Sequence, residues 1–518
     1  MESSFATIDW IVFGSYFAML IISSIFLSQT KIENSRDYFV GGNTMPMWAV
    51  AISVLATTQS AATFLGGPEY AYKHDLTFLG FYISALLGVI FVAKVLIPRF
   101  YAINAVTVYE LLETRYGASA KKNAGVMFLV GRLFASGARL YIGALAISMI
   151  LFMDIEASHV ALSILILVTG ALAYTYFGGV KSVIYSDVIQ AVTYITAALV
   201  VLFYLYTSIQ GDFSTIVSTL ATDEKLRLFD FSLDFSSAAN FNVWGLMTGW
   251  FLLNIAAYGL DQDMTQRVLS CKDKKEGERA IIISVLMTIP VVVIFLFIGL
   301  LLYLFYNHPE LSVISGGVEQ SFAGEKITIL MYYILHEMPE GLRGLVTVGA
   351  IAAALSSTNS VLGAMSSVAI EDLYKPWKQK RSDVSEYHFV KAARAGVLVF
   401  AVLLSAMAML SYYWQQYSAV SLLSFALGVM AFAYSGLLGV YFSAIFTKRG
   451  SEQTVLFALV GGFMTVLFLQ PYILGMVIDY KLGFAWQIVI GTIVAFGIMQ
   501  LGSPMAREIG NRKGDRDE

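Results

Sequence analysis

The sequence predicts an all-α integral membrane protein, on three observations. Of its 518 residues, 58% are hydrophobic and only 13% are charged, about half the ~25% charge of soluble domains. The mean hydropathy is +0.71. Apolar runs long enough to cross a bilayer, about 20 residues each, recur along the chain. Lysine and arginine gather on one side of those runs. A disulfide-stapled scaffold is excluded because Cys271 is the sole cysteine. The same composition excludes a disordered chain and a nucleic-acid binder, and the net charge of -3 points to no class of partner.

About thirteen spans are predicted, near 8–28, 45–72, 77–104, 122–152, 158–177, 182–208, 239–265, 280–306, 341–370, 389–414, 418–446, 453–472 and 482–502. The start, Met1-Glu2-Ser3-Ser4, lacks the basic region of a signal peptide, so the first run reads as a retained span. The longest loops, 209–238 and 307–340, are too short or too apolar to be domains. The tail after Leu501 is short, polar and mixed in charge, which leaves no room for a catalytic or signalling domain.

Orientation follows from the cations. With the N-terminus outside, 25 of the 33 Lys and Arg fall on inner loops and inner span ends, Arg267 and the tail residues Arg507, Arg512, Lys513 and Arg516 among them. Six lie outside: Lys73, Lys225, Arg227, Lys326, Arg343 and Lys481. This asymmetry predicts N-outside, C-inside and an odd number of spans in the plasma membrane, the inner membrane of a cell that has two.

Two spans read as broken. The second carries Ala56-Thr57-Thr58-Gln59-Ser60-Ala61-Ala62-Thr63 and then Gly66-Gly67-Pro68. The seventh carries Asn254 and then Tyr258-Gly259-Leu260-Asp261. Polar groups at membrane depth are costly unless they line a cavity. Polar interruptions at matching places in two inverted halves point to a transporter's midplane site. Small-residue packing faces are the other reading.

In the ninth span, Ala353, Ser356, Ser357 and Ser360 are offset by 0, 3, 4 and 7 and share one helix face. Three hydroxyls beside backbone carbonyls suit a small dehydrated cation, although such a stripe also serves close helix packing. Asp187 opens the sixth span, and an acid there needs a partner, a role, or interfacial water near Lys181. Arg132 and Arg139, seven apart in the fourth span, could draw an anion or pair with carboxylates. His74, His159, His308, His336 and His388 are scattered, without metal-ligand spacing. There is no P-loop and no nucleophile–base set, so the chain reads as no enzyme.

With these residues in hand the chain resembles the sodium/solute symporter family, which includes bacterial sialic acid, galactose and proline symporters. The likeness runs from about residue 30 to 450. It rests on Arg36-Asp37-Tyr38-Phe39-Val40-Gly41-Gly42, Ser53 to Thr58, Gly178-Gly179-Val180 running on to Ser186-Asp187-Val188-Ile189-Gln190, Asp261 to Arg267, and Ala352 to Ser360 with Glu371-Asp372-Leu373-Tyr374. The resemblance implies a LeuT-like fold: an extra helix at 8–28, inverted five-helix repeats at 45–208 and 239–446, and two extra helices within 453–502. It implies a sodium site formed by the carbonyls of Ala56, Gln59 and Ala353 and the hydroxyls of Ser356 and Ser357. A further sodium matches Asp187, Ser356, Asn359 and Ser360, with Asn359 replacing a hydroxyl residue. Thr58, Ser60 and Thr63 match the family's carboxylate-holding hydroxyls, and Phe78 and Asn254 fall at pocket positions. Several positions depart. Ala135 stands where the sialic acid arginine would, with Arg139 one turn on. Tyr82 stands where a substrate-contacting glutamine would, Ala257 replaces an aromatic gate, and the galactose pocket's lysine has no counterpart.

The function expected is sodium-coupled secondary active symport, importing a small organic solute by alternating access. The solute class is a carboxylate such as a sialic acid or another organic anion. Its partners would be sodium, the solute and membrane lipid, with no nucleic acid, and the chain would be a monomer or weak oligomer. The alternative is a proton-coupled or uncoupled carrier for a sugar or amino acid on the same fold, with Asp187 as proton relay. A channel or a transport-derived sensor belongs to a different class, and the short tail speaks against a sensor.

Overall fold

Apolar runs in lipid become helices because the backbone has no water to satisfy it and must bond within the segment. The computed structural model describes residues 5–27, 32–237, 241–312, 321–322, 325–416, 422–478 and 480–504. Lys31 and the tail cations Arg507, Arg512, Lys513 and Arg516, used in the charge asymmetry, lie outside the described residues. Among the described residues, eight helices are long and apolar enough to cross a membrane, from Thr7–Leu27 to Glu386–Gln415. The pair Met47–Thr58 and Ala61–Lys73, bent by 62°, makes a ninth. Three shorter apolar helices follow, Ala431–Phe446, Glu452–Phe468 and Phe484–Gln500. The only strands among the described residues are a two-residue pair, Ser321–Phe322 against Glu325–Lys326, in the 307–340 loop. Large apolar side chains such as Ile11, Phe203, Val402, Phe457 and Ile493 point outward, the reverse of a water-facing surface.

One helix, Ala157–Ser208, covers two of the predicted spans and is interrupted at Gly179, where φ is 58° and ψ is -151°. The chain doubles back there. Thr175 Oγ1 donates to the Asn359 carbonyl (3.1 Å), and the Asn359 amide reaches Ser186 Oγ at a long 3.5 Å. Eleven residues of straight helix would separate Thr175 and Ser186 by about 16 Å, so one asparagine meets both only if the segments fold together. Glycine is required, because a Cβ at 179 would stand 2.4 Å from the Tyr38 carbonyl oxygen. Tyr38 pins the turn by donating its hydroxyl to the Thr175 carbonyl (2.6 Å).

The Leu342–Gln379 helix, which carries the serine stripe, packs along Ala157–Ser208 and against Met47–Thr58, Ala118–Phe152 and Thr7–Leu27. Its first turn is capped from another helix. Buried Asp9 of Thr7–Leu27 accepts from the Gly341 and Gly344 amides, both at 2.7 Å. A carboxylate there satisfies orphan amides and faces the positive end of the helix dipole.

Candidate functional site

The first helix break supplies backbone. Met47–Thr58 ends where the Gln59 amide bonds the Leu55 carbonyl, with Gln59 and Ser60 extended before Ala61–Lys73 begins. A helix end leaves its last carbonyls without intrahelical partners, and here they include that of buried Ala56. The second break falls at Asp261, extended (φ -84°, ψ 121°) between Val243–Leu260 and Gln262–Leu269. Both interruptions therefore fall where polar residues enter apolar runs.

The serine helix faces the first break. Ser357 Oγ donates to the Ala354 carbonyl (3.0 Å) and Ser360 Oγ to the Ser356 carbonyl (2.9 Å). Hydroxyls whose protons are spent on their own helix keep oxygen lone pairs for a cation. Ser356 instead donates to Asp187 Oδ1 (2.9 Å), and Ala353 lies buried on the same face. The amide oxygen of Asn359 is buried and has no hydrogen-bond partner. Ser356 thus meets Asp187, while Asn359 and Ser360, one turn on, line a small cavity with Arg267.

Asp187 is wholly buried, not interfacial beside Lys181. Ser53 Oγ also donates to it, and Arg267 reaches it through Nη2 (3.2 Å). Arg267, expected on an inner loop or inner span end, is likewise buried. Its Nη1 holds Asp263 (2.8 Å), Arg132 holds Asp261 (2.9 Å) and also pairs with Asp263, and Tyr434 donates to Asp261. An unbroken chain of buried ion pairs therefore joins three helices, Ala118–Phe152, Ala157–Ser208 and Gln262–Leu269, and the Tyr434 hydroxyl ties in a fourth. Of the two arginines flagged in the fourth span, Arg132 pairs with carboxylates. Arg139 lines a separate small cavity with Ser136, Ser357, Thr358 and Leu404, beside the serine helix rather than the Thr58–Thr63 hydroxyls.

A second gathering lies around Tyr82. The Gln59 amide and the Tyr194 and Tyr258 hydroxyls lie beside it, and Tyr258 meets the Thr58 hydroxyl. Asn254, one turn before Tyr258, shares its face. Ser60 and Thr63 are buried at the start of the second half-helix. Phe78 packs edge-on against Tyr82 (5.7 Å between ring centroids) in an aromatic cluster with Tyr70, Phe81 and Phe241. Gln59 and Asn254 each leave both amide atoms without a hydrogen-bond partner while about 1% exposed, and Gln190 and Tyr194 are orphaned in the same way. Buried polar atoms are rarely left so, because each costs ~1–3 kcal/mol. The sequence reading missed Gln190, Tyr194 and Ser53. Offsets of 0, 3 and 7 from Asp187 to Gln190 and Tyr194 carried the signal for the first two. The structure also brings Asp154, Glu156 and His159 together after the Ala118–Phe152 helix, where His159 Nδ1 bonds Asp154 (2.7 Å).

These orphaned amides predict an unusual phenotype. Asn254→Leu, of similar volume, removes two unpaired polar atoms and should raise thermal stability by ~1–3 kcal/mol. Differential scanning fluorimetry of parent and variant reads the shift.

Residues 38–464 match the Sodium:solute symporter family. The chain belongs to this family. Among its relatives, the sodium/sialic acid symporter NanT of Aliivibrio fischeri is 27% identical over 97% of this chain and 94% of its own length. Human sodium-coupled monocarboxylate transporter 2 is 28% identical over 78% of this chain and 63% of its own. A solved structure of a Na+-coupled sialic acid symporter, substrate-bound and outward-open, superposes with a TM-score of 0.80 at 26% identity, covering 96% of this chain and 99% of that one. The fold of this symporter is therefore LeuT-like, and it is an integral membrane transporter.

Proposed function

We propose that this chain imports a small organic solute by sodium-coupled alternating access. The observation that carries this is the Ser356–Asp187 contact, with the orphaned amide oxygen of Asn359 one turn on, beside a broken helix with a freed carbonyl end. One sodium ion is held by the carbonyls of Ala56, Gln59 and Ala353 and the hydroxyls of Ser356 and Ser357. A second is held by Asp187, Ser356, Asn359 and Ser360. Hard oxygen donors of this kind match an alkali cation. The solute meets Thr58, Ser60, Thr63, Phe78, Tyr82 and Asn254. Inverted repeats at 45–208 and 239–446 rock about that site, with the N-terminus outside and the C-terminus inside. The chain acts as a transporter alone and not as an enzyme.

Coupling has enough driving force. One charge crossing 100 mV supplies ~2.3 kcal/mol, about a 50-fold concentration ratio by the usual conversion of 1.4 kcal/mol per tenfold. The sialic acid and monocarboxylate transporters among the relatives favour an organic anion as solute. A second reading, a neutral hydroxyl-rich solute, is favoured by the paired amides of Gln59 and Asn254, which offer donors and acceptors without charge.

The experiment is uptake into proteoliposomes, with solutes first chosen by thermal shift of purified protein against acids, sugars and amino acids, with and without sodium. Uptake should follow an inward sodium gradient and stop when choline replaces sodium. Uptake that follows an imposed proton gradient in choline would instead support the proton-coupled carrier.

A further inference from the structure

Two arginines, Arg132 and Arg267, and three aspartates, Asp187, Asp261 and Asp263, form one buried ion-pair chain, all five at most 4% exposed, and Arg139 acts on Asp261 and Asp263 as well. Arg267 stands at the Asp187 end of that chain. Its Nη1 holds Asp263 Oδ1 (2.8 Å) and the Asp263 carbonyl (2.6 Å), while Nη2 reaches Asp187 Oδ2 at a longer 3.2 Å and Nε holds Ser53 Oγ (2.8 Å). The guanidinium thus has one firm partner and one looser one. The looser one is the carboxylate that Ser356 also touches.

We infer that Arg267 is a tethered counter-cation that competes with sodium for Asp187, so that ion entry frees Nη2 from Asp187 while Nη1 keeps Asp263, and the guanidinium's return helps to expel the ion. This rests on the sodium reading of Asp187 given above. The physical logic is simple occupancy. An ion binds Asp187 only in the fraction of molecules whose guanidinium has let go, and apparent affinity falls by that fraction. Because Asp263 continues into Asp261 and Arg132, the same exchange ties ion occupancy to the segment after the second break, between Val243–Leu260 and Gln262–Leu269. Arg267 is therefore a positioning residue that sets how readily sodium leaves, and Asp263 sets how readily Arg267 yields.

The test is sodium titration of purified protein, read by thermal shift and by radiolabelled sodium binding. Arg267→Gln should lower the half-saturating sodium concentration about tenfold, the change expected if Asp187 is free about a tenth of the time. Asp263→Asn weakens the firm partner and returns Arg267 to Asp187, so it should raise half-saturation. It decides the matter if Arg267→Gln does not fold. In an Asp187→Asn background, Arg267→Gln should change nothing, which isolates the pair. If Ser356→Ala weakens sodium binding but Arg267→Gln leaves it unchanged or weaker, competition is refuted and the sodium site stands. If neither Ser356→Ala nor Asp187→Asn alters sodium binding, the site reading itself falls and this inference with it.

Discussion

Arg132→Met should cost this symporter ~3–5 kcal/mol of stability, the usual penalty for removing one member of a buried pair. Arg132 holds Asp261 at 2.9 Å and pairs with Asp263. Without it, two carboxylates two residues apart share the bundle interior and lose the cation that holds both. Expected results are a large loss of monodisperse protein in detergent and a fall in Tm. The triple variant Arg132→Met, Asp261→Asn, Asp263→Asn removes both carboxylates together with the cation and should recover most of the folded yield. A Tm for Arg132→Met equal to that of the parent would show that the ion pairs contribute nothing.

Gly179→Ala should be the second severe change. Left-handed backbone with extended ψ is essentially restricted to glycine and costs a side chain ~1–3 kcal/mol. In addition, the new Cβ would stand 2.4 Å from the Tyr38 carbonyl oxygen, so the Ser35–Val40 helix must move. The turn at 179 brings Thr175 and Ser186 both within reach of Asn359. Its distortion should therefore weaken sodium binding as well as stability. Gly14→Ala, where an added Cβ meets nothing within 4 Å, is the control and should leave both unchanged.

Much of this was readable before any coordinates, for physical reasons. Hydroxyls and a glutamine in an apolar run have no cheap place in lipid, so Thr57 to Ser60 marked a break, and the helix does bend there by 62°. A serine at every turn of one face marked the stripe at Ser356 and Ser360. The burial of Arg267 was not legible, because positive charge near a span end usually means exposure to the cytoplasm, and sequence alone does not show Asp187 of another helix reaching it. Gln190 and Tyr194 were passed over because polar residues on an otherwise apolar helix can pack against neighbours. Only their orphaned atoms in the folded chain set them apart. The doubling back at Gly179 was legible as two spans, whereas the reason for glycine, the approach of Tyr38, is a tertiary contact.

The most direct test of the central claim is the sodium dependence of thermal stability in purified protein and in Ser356→Ala. Ser356 belongs to both proposed ion sites. Losing its oxygen should raise the half-saturating sodium concentration by about tenfold or more, equivalent to ~1.4 kcal/mol. Potassium or choline should produce no such stabilisation in either protein. Identical sodium curves for the two proteins, or no response of the parent to sodium, would contradict a cation held between the serine helix and the broken one.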